Sequence, residues 1–170
     1  NDCLNNYWDI DQDIIISSGI QDIFSQDRLG YLDHYISETG VKLYWATAFM
    51  FTKNSYTKAF FDTIRYIYNN YSAFSSIFRY NELQYRNDIS FSVAKHILEG
   101  FDNIENYSLP KIYTALDKDI LYKVEDGKMF FLVDTNLNGN YSLVSNNKVN
   151  IHVMNKKSIT RVSNELLDLI

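Results

Sequence analysis

Cysteine and proline each occur once in this chain of 170 residues, as Cys3 and Pro110. A single thiol excludes an internal disulfide and fits a reducing compartment, so the expected setting is cytoplasmic, a host cytoplasm or a virion built in one included. An excess of positive charge is also lacking. The 16 Lys and Arg against 21 Asp and Glu leave a net charge of −5, without the basic face a general nucleic-acid binder needs. The longest apolar run, residues 41–51, is too short for a bilayer and contains Lys42 and Tyr44, so no membrane span is expected. Nor is there a signal-like leader, an internal repeat, a glycine-rich phosphate loop, or a legible Ser-His-Asp or Cys-His grouping. The first residue is Asn1 rather than methionine, which predicts a fragment of a larger chain.

Aromatic residues are plentiful, with 14 Tyr and 11 Phe, and their first use is packing with hydroxyls at the surface. The length suits a single domain, 1–170, with one core. Ile14-Ile15-Ile16, closed by Ser17-Ser18-Gly19, reads as a buried strand. Residues 20–36 read as helical segments broken near Gly30. Residues 41–51 read as an inner strand of a mostly parallel sheet, too apolar to alternate. Ser55 caps a predicted helix over 56–71, a further helix lies at 72–78, and Asn87 or Asp88 caps one over 89–99 that stops at Gly100. Residues 101–116 read as loop. After 120 come short strands at 121–124, 129–133, 141–144 and 149–154 with turn signals between them, then a closing helix at 164–170. The fold class is therefore α/β: a mixed sheet with flanking helices over 1–119, then a small antiparallel β-meander and closing helix over 120–170.

Several groups of residues could carry chemistry. Asp134-Thr135-Asn136-Leu137-Asn138-Gly139 has the letters of half a calcium loop, but the twelfth position is Ser145 and a hairpin turn is the preferred reading. Asp9-Ile10-Asp11 has the letters of a metal-binding D-x-D motif, yet the apolar strand follows it rather than leading into it, so it reads as a solvated turn. Asn1-Asp2-Cys3-Leu4 fits the end of such a motif with its first aspartate upstream, which makes Asp2 a candidate metal ligand. His152, on a late strand followed by Lys156 and Lys157, suits a metal-diphosphate site: the imidazole ligates a cation and an ammonium neutralises phosphate. The bland alternative is a strand histidine beside surface lysines. Asp88 is accounted for as a helix cap, or it faces sugar hydroxyls at the edge of a sheet.

Taken in order, Trp45-Ala46-Thr47-Ala48-Phe49-Met50-Phe51-Thr52-Lys53, Phe60-Phe61-Asp62, Arg86-Asn87-Asp88 through His96-Ile97, and Ile151-His152-Val153-Met154-Asn155-Lys156 resemble the later, acceptor-side part of GT-A-type nucleotide-sugar glycosyltransferases. The likeness is to glycosyltransferase-like proteins of phages and bacteria, more distantly to glycogenin-type enzymes, and it spans roughly residues 36–160. It implies a partial GT-A-like fold, a nucleotide-sugar donor, a glycan acceptor and a divalent metal, Mn or Mg. It also implies Asp88 as the catalytic or positioning carboxylate, Trp45, Thr47, Asn87 and Lys156 as substrate-binding residues, and His152 with Asp2 as metal ligands. The chain departs from the family: Trp45-Ala46-Thr47 replaces Asn-Ser-Gly, and the Gly and Lys-Pro-Trp expected after the histidine are absent. The nucleotide-binding half lies outside it.

Two functions follow as expectations. One is the acceptor-side portion of a metal-dependent sugar transferase, completed by an upstream nucleotide-binding half. The other is a non-catalytic glycan-binding or structural assembly module derived from that fold. Under either, residues 1–170 alone bind no nucleotide sugar and either self-associate or need a partner segment to complete the sheet.

Overall fold

The computed structural model describes residues 7–24, 28, 35–36, 40–80, 84–101, 108–147, 150–163 and 167. In chain order the elements are β1 (Ile14–Ser17), β2 (Ile20–Asp22), β3 (Tyr35–Ile36), β4 (Val41–Lys42), β5 (Trp45–Phe51), α1 (Ser55–Asn69) and α2 (Tyr71–Phe78). They continue with α3 (Asn87–Leu98), β6 (Ile112–Ala115), β7 (Ile120–Glu125), β8 (Lys128–Asp134), β9 (Tyr141–Asn146), β10 (Ile151–Val153) and α4 (Lys156–Arg161). The class is mixed α/β with an antiparallel meander, as the sequence predicts. The chain forms two compact units, residues 1–19 with 33–111, and residues 20–32 with 112–170.

In the first unit the triple isoleucine of β1 is buried throughout and pairs antiparallel with β5, Ile14 opposite Phe51 and Ile16 opposite Phe49. β-Branched residues suit a strand covered on both faces. The α1 helix is amphipathic, with Thr57, Phe60 and Ile67 buried. Its start is a capping box at Asn54: the Asn54 side chain accepts from Thr57 N–H at 2.9 Å and Thr57 Oγ1 accepts from Asn54 N–H at 3.0 Å. The cap is thus one residue before Ser55. The α3 helix is buried from Ile89 to His96. It ends as predicted at Gly100 (φ 70°), and the next amide, Phe101, donates to His96 C=O at 2.8 Å, closing a Schellman motif. Its N-cap is Arg86, so Asn87 and Asp88 are its first helical residues.

Residues 41–51 do not form one inner parallel strand. They divide into β4, paired with β3, and β5, paired among the described residues with β1 alone. The reason lies in α3, whose side chains take up the amides of this segment, as described below.

In the second unit β2 and β10 flank β6 in an all-parallel sheet, with Gln21 and Ile151 both opposite Tyr113. Residues 20–22 are therefore strand rather than helix. Three residues are too few to show a period, and pairing with a strand ninety-two positions away decides their state. Likewise β6 occupies part of the expected loop, and the expected fourth meander strand joins β6 in parallel. The meander itself is β7-β8-β9, with Gly127 (φ 71°) in its first turn. The β8–β9 turn is the hairpin predicted over the calcium loop: Asp134 is fully buried and its carboxylate accepts from the Asn138 and Gly139 amides at 3.0–3.1 Å. A short helix precedes the expected closing one: the Asn155 side chain accepts from Ser158 N–H and starts α4 there. Of 164–170 only Leu167 lies within the described residues.

A buried ion cluster holds this unit together. Arg28 clasps Asp22 with Nε at 2.8 Å and Nη2 at 2.6 Å, and Asp119 with Nη1 at 2.6 Å and Nη2 at 2.8 Å. Its fifth donor, on Nη1, reaches Asp134 C=O at 3.1 Å. All five guanidinium donors are thereby used. Asp119 is also spoken for, accepting from the Leu116 and Asp134 amides at 2.7 and 3.1 Å. With no donor or carboxylate left over, the cluster is structural.

Candidate functional site

Three polar side chains of α3, spaced four apart, hold the segment that leads into β5. Asp88 Oδ1 accepts from Ala46 N–H at 2.9 Å, Ser92 Oγ from Tyr44 N–H at 2.8 Å, and His96 Nε2 from Lys42 N–H at 3.0 Å. The spacing explains the match. Four helical residues rise about 6 Å and two extended residues about 6.6 Å, so one stripe of the helix meets every second amide of an extended chain. Sheet-like hydrogen bonding is here supplied by side chains. Asp88 thus grips the strand beside it, and Arg86 Nη2 lies 3.3 Å from its other oxygen.

Burial depresses the His96 pKa, and the accepting role of Nε2 requires the unprotonated ring. The unfolded chain takes up the proton first, at the ordinary value near 6.5. The stabilisation is therefore complete above that pH and is lost as pH falls from there through the depressed folded-state value. Equilibrium urea unfolding should show stability declining as pH falls below about 6.5, and His96→Gln should flatten that part of the curve.

The cavity of interest lies where the segment before β1, the start of α1 and the last turns of α3 meet. It holds about 310 Å³ and is lined by Asp11, Gln12, Asp13, Tyr56, Lys95 and Glu99, with Ile14 the one apolar contributor. Lys95 is 4% exposed, and its ammonium pairs with Glu99 one turn on. The Tyr56 hydroxyl is hydrogen-bonded to Glu99, and burial, followed by the negative charges of Glu99 and Asp13, pushes its pKa up to about 12. Tyr44 is also pushed up to about 12, by burial and then by Glu99, while the Lys42 and Lys95 ammonium groups stand 5.3 and 5.7 Å from its ring centre. Asp13 is fixed by the Asn54 side chain and by Thr52 N–H, which donates to its carbonyl at 2.9 Å.

Three carboxylates and one ammonium give the walls a net charge of −2. Such walls repel a phosphate group and suit a ligand rich in hydroxyls, whose hydrogens the carboxylates accept and whose oxygens Tyr56 and Lys95 can meet.

The residues expected from sequence fall into two groups. In the first unit Trp45 (buried), Thr47 (exposed), Asn87 (exposed) and Asp88 come together, because the Asp88–Ala46 hydrogen bond docks the start of α3 on β5. In the second unit His152 is half-buried on β10, and Lys156, first in α4, donates to Val153 C=O at 2.5 Å. Among the described residues no group of three or more His, Cys, Asp or Glu side chains is placed to hold a metal ion. Asp2 lies outside the described residues. Of the cavity residues only Asp11 was singled out from sequence, within a presumed turn. The overlooked signal was Lys95, a cation directly after the apolar Val93-Ala94, with Glu99 four residues on.

Compared with protein-family models, curated proteins and solved structures, the chain matches none. Among the described residues no helix is long and apolar enough to cross a membrane.

Proposed function

We propose that this chain is a carbohydrate-binding module whose first unit takes one neutral or amine-bearing sugar residue in the acidic cavity. The observation that carries this reading is the cavity's makeup: its volume lies at the small end of ligand pockets, about 300–1,000 Å³, and six of its seven lining residues carry hydrogen-bonding side chains. Metal-dependent transfer from a nucleotide sugar is the second reading. What favours it is that His152 and Lys156 come at the carboxyl end of β10, a strand of an all-parallel sheet. Carboxyl ends of parallel strands are where α/β folds place ligands.

One calorimetric series separates the two. Neutral hexoses and amino sugars should bind residues 1–170 without metal, and Asp11→Asn, at an exposed position, should weaken binding about fivefold, the worth of one hydrogen bond near 1 kcal/mol. Uridine-diphosphate sugars with manganese should give no heat. If the sugars do not bind while the nucleotide sugar does, and His152→Ala abolishes that heat, transfer replaces recognition as the function.

A further inference from the structure

Among the described residues the outer edge of β5 is open, and it is open where the core still needs cover. Thr52 N–H donates to Asp13 C=O, so positions 13 and 52 form a hydrogen-bonded pair of the β1–β5 ladder. The register Ile14↔Phe51, Ile15↔Met50 and Ile16↔Phe49 then makes Met50 the next hydrogen-bonded position. Phe49 and Phe51 alternate with it, so their backbone N–H and C=O groups point away from β1, and among the described residues no strand pairs with that side of β5. Asp88 and its neighbours on α3 close the stretch ahead of this one and stop at Ala46.

The side chains give the same message. Phe49 packs on Phe91 and Phe61 (ring centres 5.0 and 6.1 Å), and Phe51 on Phe61 (5.1 Å), so both belong to the helix-covered face. Yet they are 36% and 50% exposed. An aromatic pair on the covered face stays exposed to that degree because, among the described residues, the sheet ends at β5.

We propose that the missing strand is β5 of a second copy, paired antiparallel about a two-fold axis at Met50. Outward groups at 49 and 51 hydrogen-bond in reciprocal pairs if Phe49 faces Phe51 of the second copy and Phe51 faces its Phe49. This register sets phenylalanine opposite phenylalanine and continues the aromatic cluster across the axis. It also sets Lys53 of each copy opposite Thr47 of the other, which keeps the two Lys53 ammonium groups apart at opposite ends of the paired segment. Shifting the register by two residues leaves one Phe–Phe opposition in place of two, Phe49 on Phe49 or Phe51 on Phe51, and puts the other phenylalanines opposite Thr47 or Lys53.

Two variants of the whole chain test this. Proline at position 49 removes an outward donor without touching a β1 hydrogen bond. Light scattering should show a dimer for the native chain, and at least about tenfold weaker association for Phe49→Pro, a change of about 1.4 kcal/mol, with circular dichroism unchanged. In a Cys3→Ser background, Met50→Cys should cross-link under mild oxidation, because the two copies of residue 50 form a non-hydrogen-bonded pair with Cα atoms about 4.5 Å apart, whereas Thr47→Cys should not. A native monomer at every concentration would overturn the proposal and leave the edge to a strand of another chain. A dimer without the Met50→Cys cross-link would overturn it as well.

Discussion

Replacing Arg28 with methionine should cost the second unit about 3–5 kcal/mol, the range for breaking a buried ion pair from one side. The substitution leaves the Asp22 and Asp119 carboxylates, 3% and 0% exposed, without their shared cation, and Asp134 C=O loses a donor. Domains are stable by only about 5–15 kcal/mol, so such a loss exposes β7 and β8 to solvent in a substantial fraction of molecules. Arg28→Lys should be nearly as harmful, since one ammonium cannot present the two-sided fork that clasps both carboxylates. Hydrogen exchange of the β7–β8 amides measures this directly: both variants should speed it strongly and the native chain should protect them. Native-like protection in Arg28→Met would show that water or a neighbouring donor replaces the guanidinium.

Glu99→Gln should be the second most damaging change, and the one that links stability to the cavity. It strands the Lys95 ammonium, whose side chain is 5% exposed, and again about 3–5 kcal/mol is at stake. The variant also withdraws the negative charge that helps raise Tyr44 and Tyr56. Spectrophotometric titration of the native chain should show these two tyrosines ionising late, near pH 12, and the substitution should move both earlier. The Lys95→Met, Glu99→Met double variant removes both charges together and should recover most of the stability, while sugar affinity stays low. Recovery of affinity in that variant would place the ligand away from this pair.

Local order was legible where local chemistry decides it. The isoleucine run of β1, the glycine that ends α3 and the turns of the meander each follow from residues within a few positions of one another. The parallel sheet was not legible, because β2, β6 and β10 are three or four residues long and are brought together from positions 20, 112 and 151. Strands that short carry too little pattern to announce their partners. The role of Asp88 escaped for a different reason. A carboxylate in the first turn of a helix has the same letter whether it caps that helix, meets a ligand or, as here, holds the amide of a strand forty-two residues upstream. The Arg28 cluster was hidden likewise, since nothing in the letters around Arg28 tells a buried charge from a solvated one.

The most direct test of the sugar-binding account is to follow backbone amide resonances while a binding hexose is titrated into the native chain. Saturable shifts confined to residues 11–14, the first turn of α1 and the last two turns of α3 are the predicted result. Shifts that instead centre on His152 and Lys156, or that stay absent along the whole chain at saturating sugar, would contradict it.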